Sequence, residues 1–258
     1  MIIVSIIIIT LNEAENLELT IKKARSASKL PSGRGFPIEI IVSDGGSTDG
    51  TLELAQKLAD EVITGPKGRY KQLNAGATQA KGNILLFLHA DSILPEGAIV
   101  RIIHRLRDPE VIGGGFKKHW NWNPNIKRSS LLKFLNFWWQ GIGNWLVLLL
   151  RTYPGDNAIF VRKSVYEKIE GFRSFWICED LDFSRRLKKY GKKRFIYIHS
   201  AVLTSTRRYE KYGFFYTNII WFLIYWLWRL GMSQERLKVK FKKYSANPER
   251  LFKNYLRF

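Results

Sequence analysis

One apolar run that ends abruptly in charge constrains this chain more than any other feature. Ile84-Leu85-Leu86-Phe87-Leu88 has no polar interruption, and His89-Ala90-Asp91 follows at once. An unbroken run of that length suits a strand buried on both faces of a parallel sheet, where an alternating pattern would mean one wet face. In open α/β sheets ligands bind beyond the carboxyl ends of the strands, so Asp91 is expected at the mouth of a site. Two further segments repeat the pattern. Val4–Ile9 runs into Thr10-Leu11-Asn12-Glu13, and Glu39–Ser43 runs into Asp44-Gly45-Gly46-Ser47-Thr48-Asp49-Gly50.

The spacing between these runs predicts helices over about 13–27, 50–59, 69–80 and 95–107, with a short strand at Glu61–Thr64. Alternation of this kind predicts an α/β chain with a Rossmann-like, mostly parallel sheet and right-handed crossovers. Past Gly113-Gly114-Gly115 the rhythm breaks. We expect a strand near Phe116–His119, a polar loop at 121–125, an aromatic helix at 130–150, a turn at Pro154-Gly155-Asp156 and a strand at 158–161. Ser164 is expected to cap a short helix ending at Gly171, and a helix is expected over 179–190 with Leu181, Phe183, Ser184 and Leu187 inward. Separate strands at 195–198 and 202–205, an aromatic helix at 214–230 and a basic tail follow. The organisation expected is a catalytic domain over 1–208 and a basic, amphipathic helical extension over 209–258.

The chain has 258 residues and a formal net charge of +20, and residues 185–258 hold 19 Lys and Arg against 3 Asp and Glu. Such a tail calls for an anionic partner: a phospholipid surface, a nucleic acid or a phosphorylated substrate. Cys178 is the only cysteine, which excludes an internal disulfide and fits a reducing compartment. The apolar N-terminus lacks a basic leader and a small-residue cleavage site, so it reads as the first strand. Leu131–Leu150 is interrupted by Lys133, Asn136, Gln140 and Asn144, and the apolar centre of 214–230 runs only from Ile219 to Trp228. Neither stretch offers the ~20 apolar residues of a spanning helix. Two readings of each stay open: a buried core helix, or a helix lying in a membrane interface.

The polar clusters carry the chemistry. Asp91 is a candidate ligand for Mg²⁺ or Mn²⁺, since such ions often take one or two protein carboxylates and complete their shell with substrate phosphates. The alternative is that Asp91 or Ser92 caps the next helix. Asp44 can accept the imide N–H of a uracil ring, and Gly45-Gly46 lets a base or ribose approach the backbone. Gly68-Arg69-Tyr70-Lys71 opens a helix with two cations, suiting a diphosphate or a solvated basic face. Glu179-Asp180 is either helix capping or a general base. Arg207-Arg208, read as part of a strand, would point opposite ways, one to a phosphate and one to solvent or a carboxylate. Cys178 reads as a buried small hydrophobe rather than a nucleophile, and His199 as structural rather than a metal ligand.

These residues together resemble family 2 glycosyltransferases of the GT-A fold. The motifs are Ile-Thr-Leu-Asn-Glu (9–13), Asp-Gly-Gly-Ser-Thr-Asp-Gly-Thr (44–51), Gly-Arg-x-x-Gln-x-Asn-x-Gly (68–76), Leu-His-Ala-Asp (88–91), Gly-Asp-Asn-Ala-Ile-Phe (155–160), Glu-Asp (179–180) and Ser-x-Arg-Arg-Tyr (205–209). The Gly-Arg, Leu-His-Ala-Asp and Arg-Arg-Tyr variants are similar to a bacterial subgroup labelled arsenosugar-biosynthesis glycosyltransferases. The resemblance implies inverting transfer of a sugar from a nucleotide-diphosphate donor, usually a UDP-sugar, to an acceptor hydroxyl. It implies that Thr10, Asn12, Glu13, Asp44, Gly45, Arg69, Asn74, His89, Ala90, Asp91, Gly155, Asp156, Arg207 and Arg208 surround the donor. Asp91 would hold Mg²⁺ or Mn²⁺, and Asp180, with Glu179 beside it, would be the base. Here His89 stands where the family's D-x-D motif has its first aspartate, and Ser-x-Arg-Arg-Tyr stands for Gln-x-x-Arg-Trp.

Two rival readings fit the same residues. One is transfer to a polyprenyl-phosphate lipid at an anionic membrane surface, the acceptor being lipid-linked rather than a small molecule. The other is a basic nucleic-acid-binding module, which leaves the three acidic strand ends unexplained because carboxylates repel phosphates unless a cation bridges them. The location expected is cytoplasmic, at or near the inner face of the membrane.

Overall fold

A computed structural model describes residues 4–30, 32–122, 130–150, 152–191 and 194–246. The first half forms the predicted parallel layer. Strands β1 (Val4–Thr10), β2 (Ile38–Asp44), β3 (Glu61–Thr64) and β4 (Ile84–His89) alternate with helices α1 (Ala14–Ser26), α2 (Thr51–Leu58) and α3 (Arg69–Gln79). β1 lies between β2 and β4, both parallel to it. Its side chains alternate faces, as strand geometry requires. Ile6 and Ile8 pack with Leu17, Ile21 and Ile99 on one side, and Ile7 and Ile9 pack with Leu73, Ala77 and Phe87 on the other. Both faces being covered is why the strand is written in apolar residues without alternation.

The second half closes the sheet with antiparallel pairings. After β5 (Ser92–Ile93) and α4 (Ala98–Arg105) come β6 (Gly113–Asn121), α5 (Ser130–Leu150), β7 (Phe160–Arg162), α6 (Lys163–Lys168), α7 (Glu179–Gly191) and β8 (Phe195–Ser205). Helices α8 (Arg207–Tyr212), α9 (Phe214–Arg229) and α10 (Gln234–Ala246) follow. The eight-stranded order is β3-β2-β1-β4-β7-β6-β8-β5. β7 runs antiparallel to β4 and β6, while β6 and β8 are parallel.

The structure differs from the sequence reading at several points. The two late strands are one, β8, continuous through His199 and Ser200 because β6 pairs along its length with a register shift at Phe116/Lys117. The glycine triplet lies inside β6: a Cβ on Gly113 would stand 2.3 Å from the Phe160 carbonyl oxygen, so only glycine lets β7 approach. Neither Asp91 nor Ser92 caps α4, which starts at Ala98, because Ser92-Ile93 pairs with β8. Ser164 lies within α6, whose cap position is Arg162. Arg207 and Arg208 sit on α8, not on a strand. Of the predicted loop at 121–125, positions 123–125 lie outside the described residues, as does the tail past 246.

α9 and α10 pack through Tyr216, Ile220, Ile224 and Leu237 onto Ile177 and Cys178, just ahead of α7. Among the described residues, no helix is long and apolar enough to cross a membrane.

Candidate active site

The carboxyl ends of β1, β2 and β4 lie side by side by register, with Thr10 opposite Asp44 and Ile9 opposite His89. Asp44 is 1% exposed and organises the loop after it. Its carboxylate accepts bonds from Thr10 Oγ1 at 2.9 Å, the Gly46 amide at 2.9 Å, the Ser47 amide at 2.8 Å and the Ser47 hydroxyl. Burial alone would push the carboxyl up, but the Ser47, Thr10 and Gly46 bonds outweigh it and hold Asp44 below the usual carboxylate range. Gln72 clamps the same edge from α3, its Nε2 donating to the carbonyls of Thr10 (2.7 Å) and Ser43 (2.8 Å). Gly45 is glycine because of this clamp: a Cβ there would come 3.1 Å from the Gln72 amide group. Asn12, with φ 56°, accepts from the Thr48 amide at 2.8 Å and ties the β1 loop to the β2 loop.

A second cluster forms around Asp91. Arg207, reaching back from α8, donates to Glu13 Oε1 at 2.6 Å and Oε2 at 2.9 Å, and to Asp91 Oδ2 at 3.1 Å. One guanidinium therefore joins the end of β1, the end of β4 and the start of the C-terminal helices. His89 is held below its ordinary pKa by burial and secondarily by Arg69, so its ring is neutral at pH 7. Ala90 contributes backbone only: its side chain is buried and its carbonyl accepts from Thr20 Oγ1 at 2.6 Å.

The third cluster joins the 155–157 turn to the start of α7. Asp180 Oδ2 accepts from the Gly155 amide at 2.5 Å. A Cβ on Gly155 would lie 2.8 Å from His89 Nε2 and 3.2 Å from Asp180 Oδ2, so this glycine is where the end of β4 meets α7. Asp156 pairs with Lys118 Nζ at 3.0 Å. Burial would push Asp156 up, but Lys118 holds it below the usual carboxylate range. Glu179 is 2% exposed and turned inward, with Arg69 Nη1 at 3.6 Å from its Oε1. Its pKa is pushed up to about 7, by burial first and the neighbouring Asp180 charge second, with Arg69 opposing. A carboxyl raised on folding contributes stability that is fully present below the usual carboxylate range and lost as pH rises to the folded value. Glu179→Gln stays neutral throughout, so the wild type should lose melting temperature relative to the variant between about pH 5 and pH 7 and run parallel to it above. Melting curves with an equal gap at pH 5 and pH 8 would contradict this.

Not every predicted residue joins the clusters. The Asn74 amide is committed to the 166–172 turn, donating to the Phe172 carbonyl at 2.8 Å and accepting from Tyr166 Oη at 2.6 Å and the Phe172 amide at 2.9 Å. Arg208 lies over the rings of Trp221 (5.1 Å) and Phe241 (5.6 Å), fastening α8 to α9 and α10. Cys178 is buried and its thiol is pushed well up by burial, which removes it as a nucleophile at neutral pH. Gln72 and Lys118 are the residues the sequence reading missed as site members. Gln72 was visible inside the 68–76 motif, whereas nothing in the sequence pairs Lys118 with Asp156. Three of the four described non-glycine residues with positive φ, Asn12, Ala158 and Cys178, adjoin these clusters. Strained backbone of this kind concentrates at functional sites.

The resemblance implies a divalent cation, and the donors present decide what kind of site can hold it. Among the described residues no group of three or more His, Cys, Asp or Glu side chains is arranged to hold an ion. Mg²⁺ commonly takes one or two carboxylates and draws the rest from substrate phosphates and water. Asp91 fits that demand when a diphosphate is present; the set does not fit a self-contained protein cage.

Comparison with known proteins agrees with this architecture. The undecaprenyl-phosphate 4-deoxy-4-formamido-L-arabinose transferase of Yersinia enterocolitica is 30% identical over 124 residues, 45% of this chain. The match spans 37% of that transferase's own length. Residues 1–349 of S. aureus TarS, solved with UDP-GlcNAc, superpose with a TM-score of 0.61 at 15% identity, covering 99% of this chain and 76% of that one. A mannosyltransferase from Pyrobaculum calidifontis, solved with GDP-Man and Mn²⁺, gives 0.61 at 16% identity over the same shares. The fold is GT-A, a mixed α/β sheet with flanking helices. The Glycosyl transferase family 2 model matches residues 5–169, well over half the chain. This protein is therefore a member of glycosyltransferase family 2.

Proposed function

We propose that the chain transfers a sugar from a nucleotide-diphosphate donor, a UDP-sugar, to an acceptor hydroxyl with inversion, Asp180 serving as general base. One observation carries the reading. Asp180 and His89 meet across Gly155, so the base candidate stands against the strand end that would hold the diphosphate. Displacement needs a proton acceptor for the nucleophile and cations for the leaving group, and Asp180, Arg69 and Arg207 would supply them.

The uracil would lie against the 44–47 loop, its imide N–H replacing the Ser47 hydroxyl on Asp44. Thr10, Asn12 and Gly45 frame that pocket, and Gln72 fixes its floor. Arg207 and Arg69 would face the diphosphate, with Arg207 leaving Glu13 and Asp91 in part to do so. Mg²⁺ or Mn²⁺, held by Asp91 together with the diphosphate oxygens, would supply charge stabilisation for the leaving group. Asp180 would take the acceptor hydroxyl proton on a carboxylate oxygen. The hydroxyl oxygen then bonds to the anomeric carbon as the carbon–phosphate-oxygen bond breaks, and the electron pair leaves with the nucleoside diphosphate. Lys118 keeps Asp156 ionised beside the base. The Pyrobaculum mannosyltransferase solved with GDP-Man and Mn²⁺ and TarS solved with UDP-GlcNAc are compatible with this donor class. The direct test is release of nucleoside diphosphate from a panel of UDP- and GDP-sugars with Mn²⁺. Release from UDP-sugars supports the reading, and no release from any donor counts against it.

A second reading makes the acceptor a polyprenyl phosphate. The observation favouring it is the link from Asp156 through Lys118 to Asn144 on α5, since that helix turns aromatic residues to solvent. The Yersinia relative, named for an undecaprenyl-phosphate substrate, is in keeping with it. The domain division at 208 and a location at the inner membrane face belong to this reading.

A further inference from the structure

α5 is built inside out. Asn136, Gln140 and Asn144 recur every four residues and share one face of the helix. That polar face points into the protein. Asn144 exchanges two hydrogen bonds with the backbone of Lys118, at 3.0 and 2.9 Å. Asn136 is buried, and neither its amide nitrogen nor its oxygen finds a partner among the described residues. The opposite face carries Phe134, Trp138 and Trp145, each more than half exposed. A helix of a water-soluble surface has the reverse arrangement. α9 adds a second stripe: Phe215, Phe222 and Trp226 share one face and are exposed, Phe222 at 62%, while Ile220, Ile224 and Trp228 pack inward. The two helices touch, with Trp139 Nε1 donating to Asn218 Oδ1 at 2.7 Å and the Trp139 ring 6.2 Å from that of Phe214.

We propose that the outward faces of α5 and α9 form a docking surface for an anionic lipid bilayer, lying in its interface rather than crossing it. Charge selects this occupant. No Asp or Glu occurs from 111 to 155 or from 211 to 234, while Lys117, Lys211 and Arg229 flank the helices. A second copy of the chain would set these cations against themselves with no carboxylates within either segment to offset them; anionic headgroups offset them directly. Tryptophan-rich faces bordered by Lys and Arg are the composition that settles at a headgroup boundary. Neither helix is long and apolar enough to span. The surface does not depend on the donor chemistry proposed above, because vesicle binding needs no nucleotide.

The test is flotation of the full chain with vesicles of phosphatidylcholine alone and of phosphatidylcholine with phosphatidylglycerol, for the wild type and for a Trp138→Ser, Trp145→Ser, Phe222→Ser triple variant. These side chains are exposed, and the melting temperature checks that the variant stays folded. The wild type should float with the anionic vesicles, and the triple variant should lose about tenfold or more in binding, as expected for removing three large apolar anchors. Quenching of tryptophan fluorescence by brominated lipid should fall with it. Equal binding by the variant would mean that the basic tail alone is responsible and would overturn the proposal, as would failure of the wild type to float. A wild-type dimer in light scattering that the triple variant breaks would assign the face to self-association instead.

Discussion

Asp180→Asn should fold as the wild type does, bind nucleoside diphosphate with unchanged affinity, and release product about 10²- to 10⁴-fold more slowly, the range by which a positioned general base accelerates proton transfer. The substitution is a clean test because of what Asp180 touches. Its Oδ2 accepts the Gly155 amide and its Oδ1 accepts the Leu181 amide at 2.7 Å, so asparagine keeps one of the two bonds and the melting temperature checks that the fold survives. The amide cannot take a proton from an acceptor hydroxyl, so the chemical step carries the large effect. Glu179 cannot stand in, since it is turned inward at 2% exposure against Arg69. Turnover within tenfold of the wild type would remove Asp180 from the role, whatever the fate of the donor site.

The second large effect is on folding and donor binding together. Asp44→Ala removes the acceptor for the amides of Gly46 and Ser47 and the hydroxyls of Thr10 and Ser47. Leaving one buried donor unsatisfied costs about 1–3 kcal/mol, and hydrogen bonds to a charged group sit at the upper end of the scale. Water can satisfy the donors nearer the surface, so the expected loss is about 3 kcal/mol, or roughly 6–12 °C in melting temperature for a chain of this size. Nucleoside diphosphate affinity should fall as well, because the 44–51 loop loses its anchor. Asp44→Asn keeps one acceptor oxygen and should fall between. An alanine variant melting within about 2 °C of the wild type would show that the loop is held some other way.

Much of this arrangement was legible in the sequence because local pattern determines it. β1, β2 and β4 are buried on both faces, so their unbroken apolar runs announced a parallel sheet, and their abrupt polar ends located Thr10, Asp44 and His89-Ala90-Asp91 at one edge. The parts that depend on distant chain were not legible. β8 reads as two strands because His199 and Ser200 interrupt its pattern, and only pairing with β6 makes it one. Arg207 reaches Asp91 and Glu13 from a helix that begins just past β8, a geometry no spacing rule contains. Asp91 looked free to cap α4 until β5 paired with β8. α5 was ambiguous in principle, since periodicity gives two faces and does not say which one points inward.

The most direct test of the central claim, that carboxylates and cations at these strand ends form a donor site completed by a divalent ion, is calorimetric titration with UDP. Titrations with and without Mn²⁺ on the wild type and on Asp91→Ala are needed. The account predicts saturable binding that strengthens markedly with Mn²⁺ in the wild type and loses that enhancement in the variant. Affinity that is the same with and without Mn²⁺, or the same in both proteins, would contradict it.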